Sequence, residues 1–340
     1  MSLGVAILAF AIAAGVLVRA GVALASAGDQ LAERTGWGRT FVGALLVAVA
    51  TSLPEVVTDV TLASSGAPDL AVGDLFGSSM ANMAILAVLD LYHHRRVWPT
   101  VELAHARIAA VAILLTAIAA LGIYTPPDIR IGWIGTTPLV IFAIYIAAIA
   151  WLRRRRQPGE VAVSPSPITL LEVTGWDQYA ETAPQTSRIV ARFVLATVVI
   201  FLSAPVVALS AEVIAAESGI DQTMLGASLL AITTSMPELV ASLAAVRIGA
   251  YDLAVGNLFG SNAINMSILL FADLAYTPGP ILSAIDPPQV VAALGAIILM
   301  ALALAAILAG TETRIRRLEP DAIVLLLAYV GVLLAIALSG

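Results

Sequence analysis

Long apolar runs, separated by short polar connections, recur along the whole chain. A helix that crosses a membrane needs roughly 20 apolar residues, and we find ten such runs. We place the spans at about 3–27, 40–65, 69–91, 103–124, 132–152, 189–214, 223–248, 252–274, 288–309 and 321–339. The first run is too long for a signal-peptide core and lacks a basic region before it, so we interpret it as a retained helix. The pattern predicts an all-α polytopic membrane protein with ten transmembrane helices.

Two stretches of the chain, about 40–91 and 223–274, repeat each other. In a register of 183 residues, residues 43–90 match residues 226–273 at 25 of 48 positions without a gap, which indicates an internal duplication. Each copy lies in a half of five spans, residues 1–152 and 189–340. Since five is odd, the second half enters the membrane from the opposite side, so the sequence predicts two inverted repeats. The segment 153–188, rich in Arg, Pro and Ser, reads as a linker between the halves.

The composition indicates the class of protein, and the distribution of charge indicates its orientation in the membrane. The chain is 60% hydrophobic and 12% charged, whereas soluble proteins carry about 25% charged residues. It has no Cys, which excludes disulfides and thiolate metal sites. All 17 basic residues are Arg, and 15 of them fall on one side of the predicted spans. The positive-inside rule makes that side, with the linker, cytoplasmic and places the N and C termini outside.

The first candidate motif reads TSLPE at 51–55 and TSMPE at 234–238. A carboxylate inside an apolar span is costly, so Glu55 and Glu238 are candidate functional residues. Pro54 and Pro237 lack an N–H, so each breaks its helix and frees a carbonyl. Freed carbonyls are tolerated at membrane depth where they line a cavity. Carbonyl, hydroxyl and carboxylate oxygens suit a hard cation, and two glutamates match the charge of one divalent ion.

The same spacing also fits a helix cap. Ser52 with Glu55, and Ser235 with Glu238, form a capping-box pattern with proline in the first turn. However, the helix start would then lie inside the membrane in both copies, which favours a functional role. The two interpretations are compatible, because a cap could shape the break while the glutamate binds an ion.

The second motif, GxLFGSxxxN, occupies 73–82 and 256–265. Its Ser and Asn lie four residues apart and so share one helix face. Its GxxxG pattern permits close helix packing, which could by itself explain the small and polar residues. Beside the glutamates we favour oxygen ligands that complete a cation site.

Two further acids inside the predicted spans lie next to the motif residues. Asp59 follows Glu55 by one helical turn and could line an access path, but its counterpart in the second copy is Ser242. Asp74 precedes the second motif's serine by one turn, and its counterpart is Asn257.

Together the doubled motifs resemble the two alpha-repeats of the calcium/cation antiporter superfamily, in its sodium/calcium exchanger branch. The resemblance implies ten helices with two packed alpha-repeats, and it implies that helices 1 and 6 slide across the core. It also implies a site that calcium and sodium share, made of glutamate, hydroxyl, amide and backbone carbonyl groups. These expected ligands are Ala48, Thr51, Ser52, Glu55, Ser78, Asn82, Ala231, Thr234, Ser235, Glu238, Ser261 and Asn265.

The chain departs from the family pattern at a few positions. Ala50 and Thr233 stand where the family usually has Gly, and Asn265 stands where many members have Asp. Asp74 replaces the usual Asn. These differences leave the stoichiometry and the coupling ion open. The chain has no room for a large regulatory domain, so we expect a compact form in a prokaryotic plasma (inner) membrane.

We therefore predict a secondary antiporter that exchanges calcium for sodium by alternating access at a midplane site. The alternatives are a proton-coupled calcium antiporter, an antiporter of another divalent cation, and a cation channel. No nucleophile–base pair or histidine metal motif lies in the spans, so we do not expect an enzyme. We expect no cofactor, nucleic acid or obligatory protein partner; the partners are calcium and sodium ions (or protons) and the lipid bilayer.

Overall fold

The computed structural model describes residues 2–92, 104–125, 129–154, 186–217, 233–286, 288–309 and 320–339. Its helices are α1 (Leu3–Thr35), α2 (Arg39–Val42), α3 (Ala48–Thr51), α4 (Leu53–Ser64), α5 (Pro68–Tyr92), α6 (Ala104–Tyr124), α7 (Thr136–Arg154), α8 (Thr186–Glu217), α9 (Met236–Arg247), α10 (Tyr251–Ala275), α11 (Gln289–Ala309) and α12 (Pro320–Ser339). A π-helical segment (Gly43–Val47) joins α2 to α3, and a 3-10 turn covers Ile281–Ala284. The short strands β1 (Arg130–Ile131) and β2 (Ile134–Gly135) pair antiparallel.

The fold is a bundle of membrane-spanning helices, as the apolar pattern predicts. Within the described residues, 8 helices are long and apolar enough to cross a membrane, or 9 if the bent pair Arg39–Thr51 and Leu53–Ser64 is one span. Part of the predicted span 223–248 and most of the linker 153–188 lie outside the described residues. The helical membrane architecture is thus confirmed, while the ten-helix count and the division into halves stay predictions.

Both predicted helix breaks are present. Ser52 leaves the helical geometry with φ −86° and ψ 4°, and the helix resumes with Pro54 in its first turn. In the second copy Ser235 has φ −80° and ψ 5°, and Pro237 takes the same place. The two parts of the first broken span are bent by 46°. The repeated sequence therefore produces a repeated backbone.

The two long helices that follow the breaks, α5 and α10, form the centre of the bundle. In an apolar stretch of 18 residues in each helix, 72% of the stretch in α5 and 83% of the stretch in α10 is buried. The helix α10 packs against α4, α5, α6, α7, α9 and the π-helical segment. A Cβ atom on Gly256 would lie 2.7 Å from the carbonyl oxygen of Thr40, and one on Gly260 would meet the backbone of Ala44. The GxxxG pattern of α10 thus allows backbone contact between helices, as predicted.

At the edge of the bundle, α1 and α8 pack along each other. In each of these helices, only 28% of an apolar stretch of 18 residues is buried. Leu8 and Leu195, for example, are 62% and 65% exposed. Exposed leucines on a helix of this length are typical of a surface that faces lipid. The helix α1 is also longer than its predicted span of 3–27, because Leu31 and Ala32 in its last turns are buried.

Candidate cation site

The predicted ligands come from both broken spans and from both central helices. Each of those that the structure describes is at most 3% exposed. The breaks contribute Thr, Ser and Glu side chains, and α5 and α10 contribute Ser and Asn. Ala231, the remaining predicted ligand, lies outside the described residues. The polar residues of the two motifs are therefore all buried inside an apolar bundle.

The two copies meet at the carboxylate of Glu238. Ser52, from the break of the first copy, donates its hydroxyl to Oε1 of Glu238 over 3.1 Å. Ser261, on α10, donates to the same oxygen over 3.2 Å. The Ser52 and Ser261 hydroxyls are themselves 3.1 Å apart. Three groups predicted as ligands thus form one cluster across the repeat.

A second pair of contacts follows the symmetry of the repeat. Thr51 places its hydroxyl 3.2 Å from Oδ1 of Asn257, and Thr234 places its own 3.3 Å from Oδ1 of Asp74. These two contacts are counterparts in the two copies. Thr234 also lies 3.2 Å from the Ser78 hydroxyl. Each break is therefore held by the central helix of the other copy.

The helix-cap interpretation of the serines is wrong. Neither Ser52 nor Ser235 makes a side-chain capping hydrogen bond. The Ser52 hydroxyl points to Glu238 instead. The Ser235 hydroxyl has no hydrogen-bond partner in the described part of the chain. Neither hydroxyl is therefore engaged in capping its own helix, and both belong to the candidate site.

Several buried oxygens of the site lack hydrogen-bond partners among the residues that the structure describes. They are Oε2 of Glu55 and of Glu238, Oγ of Ser235, and Oδ1 of Asn82 and of Asn265. Most buried polar atoms in proteins are paired, so such a group indicates a missing ligand. The two glutamates are also close enough for their charges to interact. A hard cation would satisfy both the oxygens and the charges.

The donor set limits how such an ion is held. No group of three or more His, Cys, Asp or Glu side chains in the described ranges could hold one metal ion. A cation at this site must therefore combine carboxylates with hydroxyl, amide or carbonyl oxygens. Ala48, the predicted carbonyl ligand, already accepts from the Ser52 amide over 2.9 Å and from the Thr51 hydroxyl over 3.3 Å. Its role as a ligand stays a prediction.

Asn82 and Asn265, the two asparagines among the predicted ligands, are not joined by a hydrogen bond in this structure. The Nδ2 of Asn82 donates instead to Oδ1 of Asn262 over 2.9 Å. Asn262 in turn donates to the carbonyl oxygen of Ser79 over 3.2 Å. Both side-chain polar atoms of Asn265 lack partners in the described residues. Sequence reasoning missed Asn262, although its counterpart Ser79 is also polar and buried.

A buried, oxygen-lined site between two copies of a broken-helix repeat is the arrangement of secondary cation transporters. Comparison with known proteins agrees with this class. The family model described as sodium/calcium exchanger protein matches residues 5–152 and 188–338, which is most of the chain. The chain belongs to this family, and thus to the calcium/cation antiporter superfamily, as the motif resemblance predicts. It is an integral membrane transporter.

Individual relatives show the same likeness. The proposed antiporter CaxA of Alkalimonas amylolytica is 27% identical over 312 residues, which cover 89% of each chain. The sodium/calcium exchanger MaX1 of Methanosarcina acetivorans is 44% identical over 52 residues, or 15% of each chain. The solved structure of the sodium–calcium exchanger NCX_Mj superposes with a TM-score of 0.71 and 18% identity, covering 97% of this chain and 98% of the other. This last likeness concerns the fold.

Proposed function

We propose that the protein exchanges calcium for sodium across the membrane by alternating access at the site between the two repeats. The observation that carries this proposal is the arrangement around the glutamates. One oxygen of Glu238 accepts two hydroxyl hydrogen bonds, while the second oxygens of Glu55 and Glu238 have no partner among the described residues. The site thus presents buried negative charge and preformed oxygen ligands in a lipid-embedded bundle.

Simple electrostatics explains how the two ions would compete. A divalent ion between two carboxylates gains about twice the Coulomb energy of a monovalent ion at the same distance. Sodium can still displace calcium if several sodium ions spread over the glutamates and the neighbouring hydroxyls. Ser78 and Thr234, whose hydroxyls are 3.2 Å apart, offer further oxygens beside the two glutamates. Competition at shared ligands is what couples the two fluxes in our proposal.

The proposed movement involves α1 and α8, which pack along each other at the edge of the bundle. They correspond to the first and sixth predicted spans, the helices expected to slide. The helix α1 contacts both copies of the repeat through glycines. A Cβ atom on Gly21 would lie 2.5 Å from Cγ1 of Val240 in α9, and one on Gly28 would lie 3.0 Å from Cγ2 of Val47 in the π-helical segment. The glycines let α1 approach both broken spans closely, and in our proposal α1 shifts along this surface together with α8. Such a shift would open the site to one side at a time.

We also propose the orientation and the location. The arginine distribution favours both termini outside and the linker inside. We place the protein in the plasma (inner) membrane of a prokaryote.

The test is uptake of radioactive calcium by proteoliposomes that contain the purified protein. Vesicles are loaded with sodium or with protons, and calcium is supplied outside. Uptake that requires internal sodium is the expected result. Uptake driven only by a proton gradient would favour a proton-coupled antiporter, and uptake without any counter-ion would favour a channel. Absence of calcium uptake under every gradient, with uptake of another divalent ion, would overturn the calcium assignment.

The glutamates are tested in the same assay by isosteric substitution. Glu55→Gln and Glu238→Gln should each lower sodium-driven calcium uptake by at least about 100-fold, because each removes a full charge from a buried site. Glu33→Gln makes the same chemical change at a carboxylate whose side chain is 64% exposed. This control should transport like the unchanged protein.

A further inference from the structure

A second pair of buried acids lies beside the central site. Asp59 on α4 and Asp74 on α5 are 0% and 2% exposed. The helices α4 and α5 pack against each other, and the two carboxyl groups lie close enough to interact. Oδ1 of Asp74 accepts from Thr234, but Oδ2 of Asp74 and both oxygens of Asp59 have no partner in the part of the chain that the structure describes. Three buried carboxylate oxygens of this pair thus lack partners among the described residues.

The equivalent place in the second copy is fully paired and neutral. The counterparts of Asp59 and Asp74 are Ser242 and Asn257. There, Nδ2 of Asn257 donates to the Ser242 hydroxyl over 3.0 Å, and its Oδ1 lies 3.2 Å from Thr51. The fold therefore holds together at this place without any charge. The two aspartates are an addition to one copy, and packing alone does not account for them.

Among the described residues, no basic side chain balances these acids. The charged groups there that act on Glu55, Asp59 and Asp74 are other acids, namely each other and Glu238. Burial of an unbalanced carboxylate costs several kcal/mol by rough estimate, so such groups usually hold a cation or a proton. The pair thus needs a positive partner that the described part of the chain does not supply.

We propose that Asp59 and Asp74, with the hydroxyl of Thr234, bind a sodium ion that is additional to the ions of the central site. This inference rests on the proposed function, because the ion would take part in the same exchange cycle. Thr234 is a predicted ligand of the central site and would connect the two. In the proposed orientation the pair lies on the outer side of Glu55.

Sodium fits this pair better than a second calcium ion does. Calcium takes 6–8 oxygen ligands, more than two carboxylates and one hydroxyl provide. Asp59 also follows Glu55 by one helical turn, so two ions held by these side chains would be only about 5–6 Å apart. Repulsion between two divalent ions at that separation is twice the repulsion between a divalent and a monovalent ion.

The experiment counts bound sodium directly, with radioactive sodium and purified protein in detergent. It compares the unchanged protein with the double variant Asp59→Ser and Asp74→Asn, which installs the residues that the second copy already carries. The variant should bind fewer sodium ions at saturation, by about one per protein, and should still bind calcium. Ser242→Ala is the matched control at the equivalent place and should leave the sodium count unchanged. The single isosteric variant Asp59→Asn should lose the same ion.

The same count in the background of Glu55→Gln and Glu238→Gln separates this inference from the proposed function. There we expect about one bound sodium ion that disappears when Asp59 and Asp74 are also replaced. An unchanged sodium count in the aspartate variants would overturn the inference, whether the pair then shares a proton or serves only the fold. If the unchanged protein binds no calcium, the proposed function fails, while the sodium count still decides the role of the pair.

Discussion

Ser52 and Glu238 belong to different copies of the repeat, and a 3.1 Å hydrogen bond joins their side chains. The equivalent hydroxyl of the second copy, on Ser235, has no partner among the described residues. The two serines occupy the same place in their motifs but differ in what they stabilise. The Ser52 hydroxyl stabilises a buried carboxylate, whereas the buried Ser235 hydroxyl is unpaired among the described residues and costs free energy.

This difference predicts opposite effects on the stability of the ion-free protein. Ser52→Ala should lower the free energy of unfolding by about 1–3 kcal/mol, because it removes a hydrogen bond to a buried charged group. Ser235→Ala should leave stability unchanged or raise it slightly. Thermal melting of the detergent-solubilised protein without sodium or calcium measures both. Equal destabilisation by the two variants would show that the asymmetry is not a property of the protein in solution.

The asparagines of α10 should divide in the same way between structure and ion binding. Asn262 bridges the copies through Asn82 and the Ser79 carbonyl, so Asn262→Ala should lower the free energy of unfolding by about 1–3 kcal/mol. Asn265→Ala removes an amide whose polar atoms are unpaired in the described part of the chain. It should leave the melting temperature of the ion-free protein nearly unchanged but weaken stabilisation by calcium. Loss of ion response in Asn262→Ala with no change in Asn265→Ala would reverse these roles.

Much of this architecture could be predicted from the sequence because it depends on local chemistry. Proline fixes the breaks after Thr51 and Thr234, and the buried glutamates and the GxxxG pattern can be recognised from their neighbours in the chain. The choice among similar partners could not be predicted. Whether Ser52 caps its own helix or reaches Glu238 depends on how the two copies approach each other, and so does the pairing of Asn82 with Asn262 rather than Asn265.

The π-helical segment is a second feature that spacing does not reveal. It lies where Gly256 and Gly260 bring the backbone of α10 against that of Thr40 and Ala44. The change of helix type coincides with this close approach, and π-helical turns are frequent near functional sites. The sequence shows glycines in both contacting segments, but it does not show which of the two departs from α-helical geometry.

The close approach at Gly260 predicts a large effect of one methyl group. Gly260→Ala would place a Cβ atom against the backbone of Ala44, which cannot move aside as a flexible side chain can. We expect a loss of at least about 2 kcal/mol in the free energy of unfolding, or failure to fold. Gly331→Ala in α12 is the matched control, since no atom of another described element lies within 4 Å of its Cβ position. The control should be neutral or slightly stabilising, because Ala favours helix over Gly. Comparable thermal melting of the two variants would contradict the contact.

The proposed inversion of the repeat would place equivalent residues on opposite sides of the membrane. Ser65 and Ile248 are counterparts in the register of 183 residues, each just before the glycine turn that ends its broken span. Both are exposed, Ile248 to 50%. The chain contains no Cys, so single substitutions can be labelled without background. In intact cells a membrane-impermeant maleimide should label Ser65→Cys but not Ile248→Cys, and both should react after the cells are opened. Labelling of both from outside would indicate a parallel duplication, in which the two broken spans run in the same direction, and would overturn the predicted inversion.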